Sequence, residues 1–276
     1  MAKTSIKGLA SITNSAVEFV QWPSISTTSE KLNIKQNLIN KVLAIQTTRI
    51  APDALFSDSN QAYQAFNLGL HVGDCVKKVE ENRQYLSELL PDNTSIQWLE
   101  QVHGNDVVEI CQTSAHAITA DAAITRNKNT CLAIMTADCL PILLASQHGD
   151  EIAAIHGGWR PLAANIIDNT LVKMKTKNSD LVAWLGPCIS KGAFEVGSEV
   201  KEVFIEKNKC FNSAFTSKSN GKYMADLHQI ALIQLERLGI TQISTLPECT
   251  YSNSNKYYSY RKNPITGRMA TLICLL

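Results

Sequence analysis

A chain of 276 residues can form one large domain or two small ones, and either buries an ample core. Hydrophobic residues make up 45% and charged residues 18%, which is ordinary globular usage and excludes a disordered or fibrous class. A net charge of +1 gives no bulk reason to expect nucleic acid or membrane as a partner, and Asp138 and Asp150 interrupt the longest apolar stretches, so no membrane span is expected.

Residues 1–20 are expected to be loosely ordered. After Lys3 and Lys7, the residues Ser11, Thr13, Asn14 and Ser15 break up any secretory signal. Together with eight cysteines that show no close pairing and no CxxC, this points to reduced thiols in a cytoplasmic protein. Leu38, Ile39, Val42 and Leu43 recur at helical spacing and predict a helix over Glu30 to Ile45. A second helix is expected over Asp74 to Leu90, ended by Pro91. Apolar runs predict strands at Ser95 to Val102, Thr130 to Ala145 and Glu151 to His156. Pro161 is placed to open a helix reaching about Lys175, with Leu162, Ile166, Ile167, Leu171 and Met174 as its stripe. Val182 to Leu185 is a short strand, Ser198 to Lys207 a helix, and Asp226 caps a helix that stops at Gly239. Gln242 to Leu246 and Arg268 to Leu275 are the last predicted strands. The irregular alternation of strands and helices points to mixed sheets with helices outside. Neither GxGxxG nor GxxxxGK[ST] occurs, so the two commonest phosphate loops are excluded.

One thiol and two imidazoles fall at the ends or bends of the three central strands: His103 in Gln101-Val102-His103-Gly104, Cys139 in Asp138-Cys139-Leu140, and His156 in His156-Gly157-Gly158-Trp159-Arg160. Two histidines and a cysteine suit a borderline-soft cation such as zinc, and three protein ligands leave a fourth position for water or substrate. Glycines after both histidines allow the backbone to turn sharply there. Pro141 is expected to restrict its strand to an edge or a bulge. Taken singly, each residue has a plain explanation, as a turn histidine or a core cysteine.

The motifs Gln101 to Gly104, Thr136-Ala137-Asp138-Cys139-Leu140-Pro141, His156 to Arg160, Gly186-Pro187, Phe194 to Gly197 and Tyr258-Ser259-Tyr260-Arg261 resemble those of the YfiH-like laccase-domain family. These proteins are also called the purine nucleoside phosphorylase or polyphenol oxidase family. The likeness extends through Asn67 to Asp74 and Gly267-Arg268-Met269-Ala270, and covers roughly Gln21 to Leu276. It implies an α+β fold, a single domain with mixed β-sheets packed face to face and helices on the outside, and zinc ligands at His103, Cys139 and His156. The chain departs from the family at Pro161, where glycine is usual, and at Thr47-Thr48-Arg49-Ile50-Ala51, which lacks the usual glycines.

The resemblance implies a zinc-dependent enzyme acting on purine nucleosides, by phosphorolysis of adenosine, inosine, guanosine and methylthioadenosine and by deamination of adenosine. Zinc would lower the pKa of a bound water for attack on the purine. Phosphorolysis needs cations to hold phosphate, and Arg160, Arg261 and Arg49 are the candidates, because guanidinium matches phosphate bidentately. Asp138 is the candidate general base or orienting group, with Cys139 and Arg160 as the other catalytic candidates and Asn67 and His71 as further substrate contacts. Neither His71 nor His228 is expected to bind the metal; His228, in the first turn of its helix, is expected to face solvent. A copper-dependent phenol oxidase is a weaker alternative, since only six histidines are present to hold several copper ions. A hydrolase acting on a non-purine substrate, through zinc or through Cys139 with His103 or His156 as base, stays open.

Overall fold

The computed structural model describes residues 16–23, 41–52 and 62–276. Its centre is a pair of mixed sheets. In the first, the strands run in the order Val17–Phe19, Val42–Thr47, Met269–Leu275, Thr130–Thr136 and Ser95–Gln97. In the second, the order is Gln242–Thr245, Leu181–Leu185, Leu140–Ser146, Ile152–Gly157, Ala122–Thr125 and Val107–Glu109.

Alternation along the strands builds three cores. Leu132, Ile134, Ala44 and Ile273 of the first sheet meet Leu143, Ala154, Val182 and Trp184 of the second. The opposite faces of the same strands, through Cys131, Ala133, Leu43 and Leu272, pack on Phe66, Leu68 and Leu86. Leu86 belongs to the helix Val76–Glu88. On the far side of the second sheet, Ile142, Ile155 and Leu185 pack against Leu162, Ile166, Phe204 and Ile230. Those four residues come from helices Trp159–Ala163, Ile166–Lys173, Ser198–Lys207 and Leu227–Arg237. The order is therefore helix, sheet, sheet, helices, and the central strands are apolar on both faces because both faces are covered.

Several sequence expectations are corrected. Val42–Thr47 is a fully buried strand, not the end of a helix, because Val42 and Ala44 face one core while Leu43 and Ile45 face another; residues 30–40 lie outside the described residues. Residues 17–19 form a strand in a segment expected to be loose, since Val17 pairs with Thr47; residues 1–15 lie outside the described residues. The helix expected from Pro161 is two helices, broken where Asn165 takes a φ of 63°. The most consequential correction concerns Thr130 to Ala145. It is two strands in different sheets, and the chain crosses between them at Ala137-Asp138-Cys139, with Asp138 at φ 96°. Pro141 lies in a central strand rather than at an edge; it is that strand's second residue, where its missing N–H is tolerated. The other expected helices form within one or two residues of their predicted ends. Asp226 caps its helix by accepting a bond from the Gln229 N–H at 3.1 Å. All eight cysteines are free thiols.

Glu151 enters the Ile152–Gly157 strand and is 2% exposed. Its carboxylate accepts bonds from the backbone N–H of Lys175 and Thr176 and from the Thr176 hydroxyl, and pairs with Arg126 at 2.6 Å. Burial opposes ionisation more than any other single factor, yet these donors together hold its pKa below the ordinary value of 4.5. Replacing Glu151 by Gln removes the charge while leaving Arg126 in place. It is expected to cost about 2–4 kcal/mol in urea unfolding at pH 7. Because the folded pKa is depressed, the wild-type advantage should be complete above pH 4.5 and should vanish as the pH falls through the lower folded value.

Candidate metal centre

The crossover places Cys139 beside the ends of two other segments. His156 is the penultimate residue of Ile152–Gly157 and pairs across the sheet with Pro141. His103 sits in the turn after strand Leu99–Glu100 and itself adopts φ 59°. The sharp bend is therefore made by the histidine, not by Gly104 after it. The glycine after His156 answers a demand for space: a Cβ on Gly157 would lie 2.6 Å from the Leu140 carbonyl oxygen.

One ligand atom from each of His103, Cys139 and His156 lies within 4.8 Å of the others. The His103 Nε2 is 3.9 Å from the Cys139 sulfur, and the two imidazole centroids are 4.7 Å apart. Among the described residues, which include all six histidines, this is the one group of three with the geometry to hold a metal ion. His71 and His228 stand outside it. His228 is not solvent-facing as expected: its Nε2 lies 2.9 Å from the Gly186 carbonyl oxygen and its Nδ1 lies 3.6 Å from the Cys188 sulfur. Burial lowers its pKa and favours the neutral ring.

A residue not singled out in the sequence organises the group. The Asp121 carboxylate is fully buried and takes four bonds. Its Oδ1 lies 2.8 Å from the His156 Nδ1 and accepts the His103 N–H at 3.0 Å; its Oδ2 accepts the N–H groups of Gly104 and Val102 at 2.6 and 3.2 Å. Burial works against its ionisation, but the His156 ring and the Gly104 and Val102 amides outweigh it and keep the carboxylate charged. That charge holds the proton on His156 Nδ1, so Nε2 is left to face the cluster. In the metal-free protein, burial would push the Cys139 thiol up, but His156 and His103 pull its pKa down to about 6; burial would depress His156, but the Cys139 sulfur and Asp121 raise it. The pair is thus poised as thiolate and imidazolium. A thiolate beside two oriented imidazoles fits a borderline-soft divalent cation with an open coordination position.

The group opens into a cavity of about 470 Å³. Trp159, Phe194 and Tyr260 supply aromatic wall, while Arg160, Arg261 and Arg268 bring positive charge. The Arg160 guanidinium lies 4.4 Å from the Trp159 ring centroid, and that of Arg261 lies 5.3 Å from Phe194. Arg261 also donates to the Glu195 carbonyl at 3.1 Å. His71 lines the cavity, and burial together with the Arg268 and Arg83 charges lowers its pKa. Asp138 lines it too, but its carboxylate is occupied: Oδ1 accepts the Thr250 hydroxyl at 2.6 Å and Oδ2 accepts the Arg261 N–H at 2.7 Å. Those bonds make Asp138 an anchor for the Arg261 loop. Arg49 and Asn67 are not in the cavity wall. Arg49 donates to the Gln64 and Ser254 carbonyls, and Asn67 ties the Gly69 and Arg268 backbones together.

Two face-to-face mixed sheets thus place a thiol–imidazole group able to hold a metal ion in the wall of a cationic cavity. Residues 53–276 match the family described as multi-copper polyphenol oxidoreductase laccase. The chain is 39% identical over 235 residues to the purine nucleoside phosphorylase YfiH of Escherichia coli, covering 85% of this chain and 94% of that one. It is 40% identical over 218 residues to the purine nucleoside phosphorylase PA4543 of Pseudomonas aeruginosa, covering 79% and 88%. The crystal structure of protein NMB0706 of Neisseria meningitidis superposes with a TM-score of 0.83 at 33% identity, covering 94% of this chain and 99% of that one. The chain belongs to the YfiH-like laccase-domain family. The fold class expected from the sequence is the one observed.

Asp121→Asn keeps the shape of the side chain but removes the charge that fixes the His156 tautomer. It is expected to weaken divalent-metal affinity by about 10–100-fold in competition with a chromophoric chelator. Asp138→Asn, which touches the Arg261 loop instead, should change that affinity by less than about threefold. Equal losses in the two variants would remove the distinction drawn between the carboxylates.

Proposed function

We propose that the chain is a zinc-dependent purine nucleoside phosphorylase that also accepts methylthioadenosine and deaminates adenosine. The observation that carries this reading is the placement of the His103–Cys139–His156 group and several arginines in one cavity with aromatic walls. Its support from relatives is that proteins of this family bear the name purine nucleoside phosphorylase. Copper is the less suitable metal: a multi-copper centre needs several sets of imidazoles, and the described residues group only two with the thiol.

His103, Cys139 and His156 would hold the zinc, which would supply a Lewis acid able to lower the pKa of a water. The protein's own residues do the rest. Asp121 fixes the His156 ring, and Asp138 fixes the backbone from which Arg261 projects. Trp159, Phe194 and Tyr260 offer faces on which a purine can stack. Arg160 and Arg261 hold phosphate so that one of its oxygens attacks the anomeric carbon as the bond to the base breaks. Deamination has no phosphate in it, so the arginines matter less there. The thiolate character of Cys139 also favours a second reading, metal-free hydrolysis with Cys139 as nucleophile. A stoichiometric metal on the thiolate would remove that possibility.

Purified protein assayed with adenosine and inosine, with and without phosphate, is expected to release base only when phosphate is present and ammonia from adenosine regardless of phosphate. Absence of both products would overturn the proposal. Elemental analysis of protein purified without added metal is expected to find about one zinc per chain, lost in Cys139→Ala. Zinc well below that, or unaffected by the substitution, would favour the nucleophile reading. Arg160→Lys and Arg261→Lys keep charge but lose the planar fork, and each is expected to raise the phosphate KM about tenfold with the ammonia-release rate changed by less than about threefold.

A further inference from the structure

We propose that Arg268 is the fixed oxyanion ligand of the cavity and takes inorganic phosphate; the proposal rests on the phosphorolytic reading above. Arg268 lines the cavity wall. Its backbone is locked on both sides: its N–H donates to the buried Asn67 Oδ1 at 2.8 Å, and its carbonyl accepts the Leu68 N–H at 3.1 Å. Its stem lies so close to Gly69 that a Cβ there would be 2.9 Å from the Arg268 Cγ. At the guanidinium, Nη1 donates to the Thr266 and Gly267 carbonyls at 3.1 and 3.0 Å. Among the described residues, the Nε and Nη2 of Arg268 meet no protein acceptor and no carboxylate pairs with it. The edge formed by Nε and Nη2 is the one that donates two parallel bonds to an oxyanion.

The surroundings point the same way. Arg83 stands behind the cavity wall, stacked 3.9 Å over Trp98, with its Nε on the Leu68 carbonyl and its Nη2 near the Met135 sulfur. Arg83 also has no carboxylate in an ion pair among the described residues. Two guanidinium groups thus bear on His71 without a bonded counter-charge, and both lower its affinity for a proton. The Cys139 and Asp138 charges bear on Arg268, but no anion is bonded to its free edge, and a bound oxyanion would supply that partner. Arg160 and Arg261 are exposed and held mainly by stacking and one carbonyl bond, so they can move to meet phosphate. Arg268 is already oriented, which lowers the ordering cost of binding.

The test is calorimetric titration of the full-length, metal-containing protein with inorganic phosphate, in parallel with steady-state phosphorolysis. Arg268→Gln is expected to raise the phosphate Kd at least about tenfold and to raise the phosphate KM in proportion, with the nucleoside KM within about threefold. Arg268→Lys should recover only part of the loss, because the charge returns without the fork. Gly69→Ala, which displaces the Arg268 stem while keeping every charge, should also weaken phosphate and serves if Arg268→Gln does not fold. A phosphate Kd unchanged in both Arg268→Gln and Gly69→Ala would overturn the proposal. So would a parallel rise of phosphate and nucleoside KM, or binding of adenosine 5′-monophosphate without binding of inorganic phosphate. Phosphate binding that depends on Arg268 in a protein that releases no base would overturn the phosphorylase reading and leave this subsite standing. Phosphorolysis with a normal phosphate KM in Arg268→Gln would do the reverse.

Discussion

The carboxylate of Asp121 receives backbone N–H groups from three consecutive residues, Val102, His103 and Gly104, and through Oδ1 also meets the ring of His156. His103 bends through a left-handed conformation that a non-glycine residue does not adopt cheaply. The three bonds to Asp121 are what hold that bend in place. Without them the first imidazole has no fixed position, and without the contact to Nδ1 the second has no fixed tautomer. A buried charge is expensive, so an unpaired Asp121 would destabilise the fold; with four donors it is satisfied and serves both histidines at once.

The thiol depends on a different constraint. Cys139 is the last residue of a three-residue passage from one sheet to the other, and Asp138 in that passage is pinned by Thr250, Arg261 and the Ile189 N–H. The two carboxylates thus divide the labour. Asp121 secures the imidazoles from one side, and Asp138 secures the thiol-bearing crossover together with the arginine loop from the other. The family description refers to several copper ions, whereas the donor set in this chain groups two imidazoles and one thiolate.

The three clustered residues were legible in the sequence because thiol and imidazole are rare and chemically distinctive, and each lies next to a turn signal. The helices over residues 76–88, 198–207 and 227–237 were legible from apolar spacing and caps. What was not legible depends on tertiary placement. The run from Thr130 to Ala145 is apolar almost throughout, so periodicity could not show that it changes sheets at Asp138. Val42 to Ile45 satisfies helical spacing and a doubly buried strand equally well, and burial between two cores decides for the strand. Asp121 is one carboxylate among many in the sequence, distinguished only by neighbours brought to it by the fold. Arg49 and Asn67 sit in family-like motifs, yet Arg49 donates to the Ser254 carbonyl, Asn67 bonds the Gly69 N–H and the Asp74 carboxylate, and neither lines the cavity.

The strand Met269–Leu275 lies third of five in its sheet, between Val42–Thr47 and Thr130–Thr136. This strand is thus the partner that joins the earliest described strands to the middle of the chain. Until it arrives, two strand edges with apolar faces on both sides stay open, and such edges are templates for pairing with other chains. During synthesis, then, the sheet cannot close while these residues are still within the ribosome. Residues 269–275 therefore close the sheet from which the crossover bearing Cys139 departs.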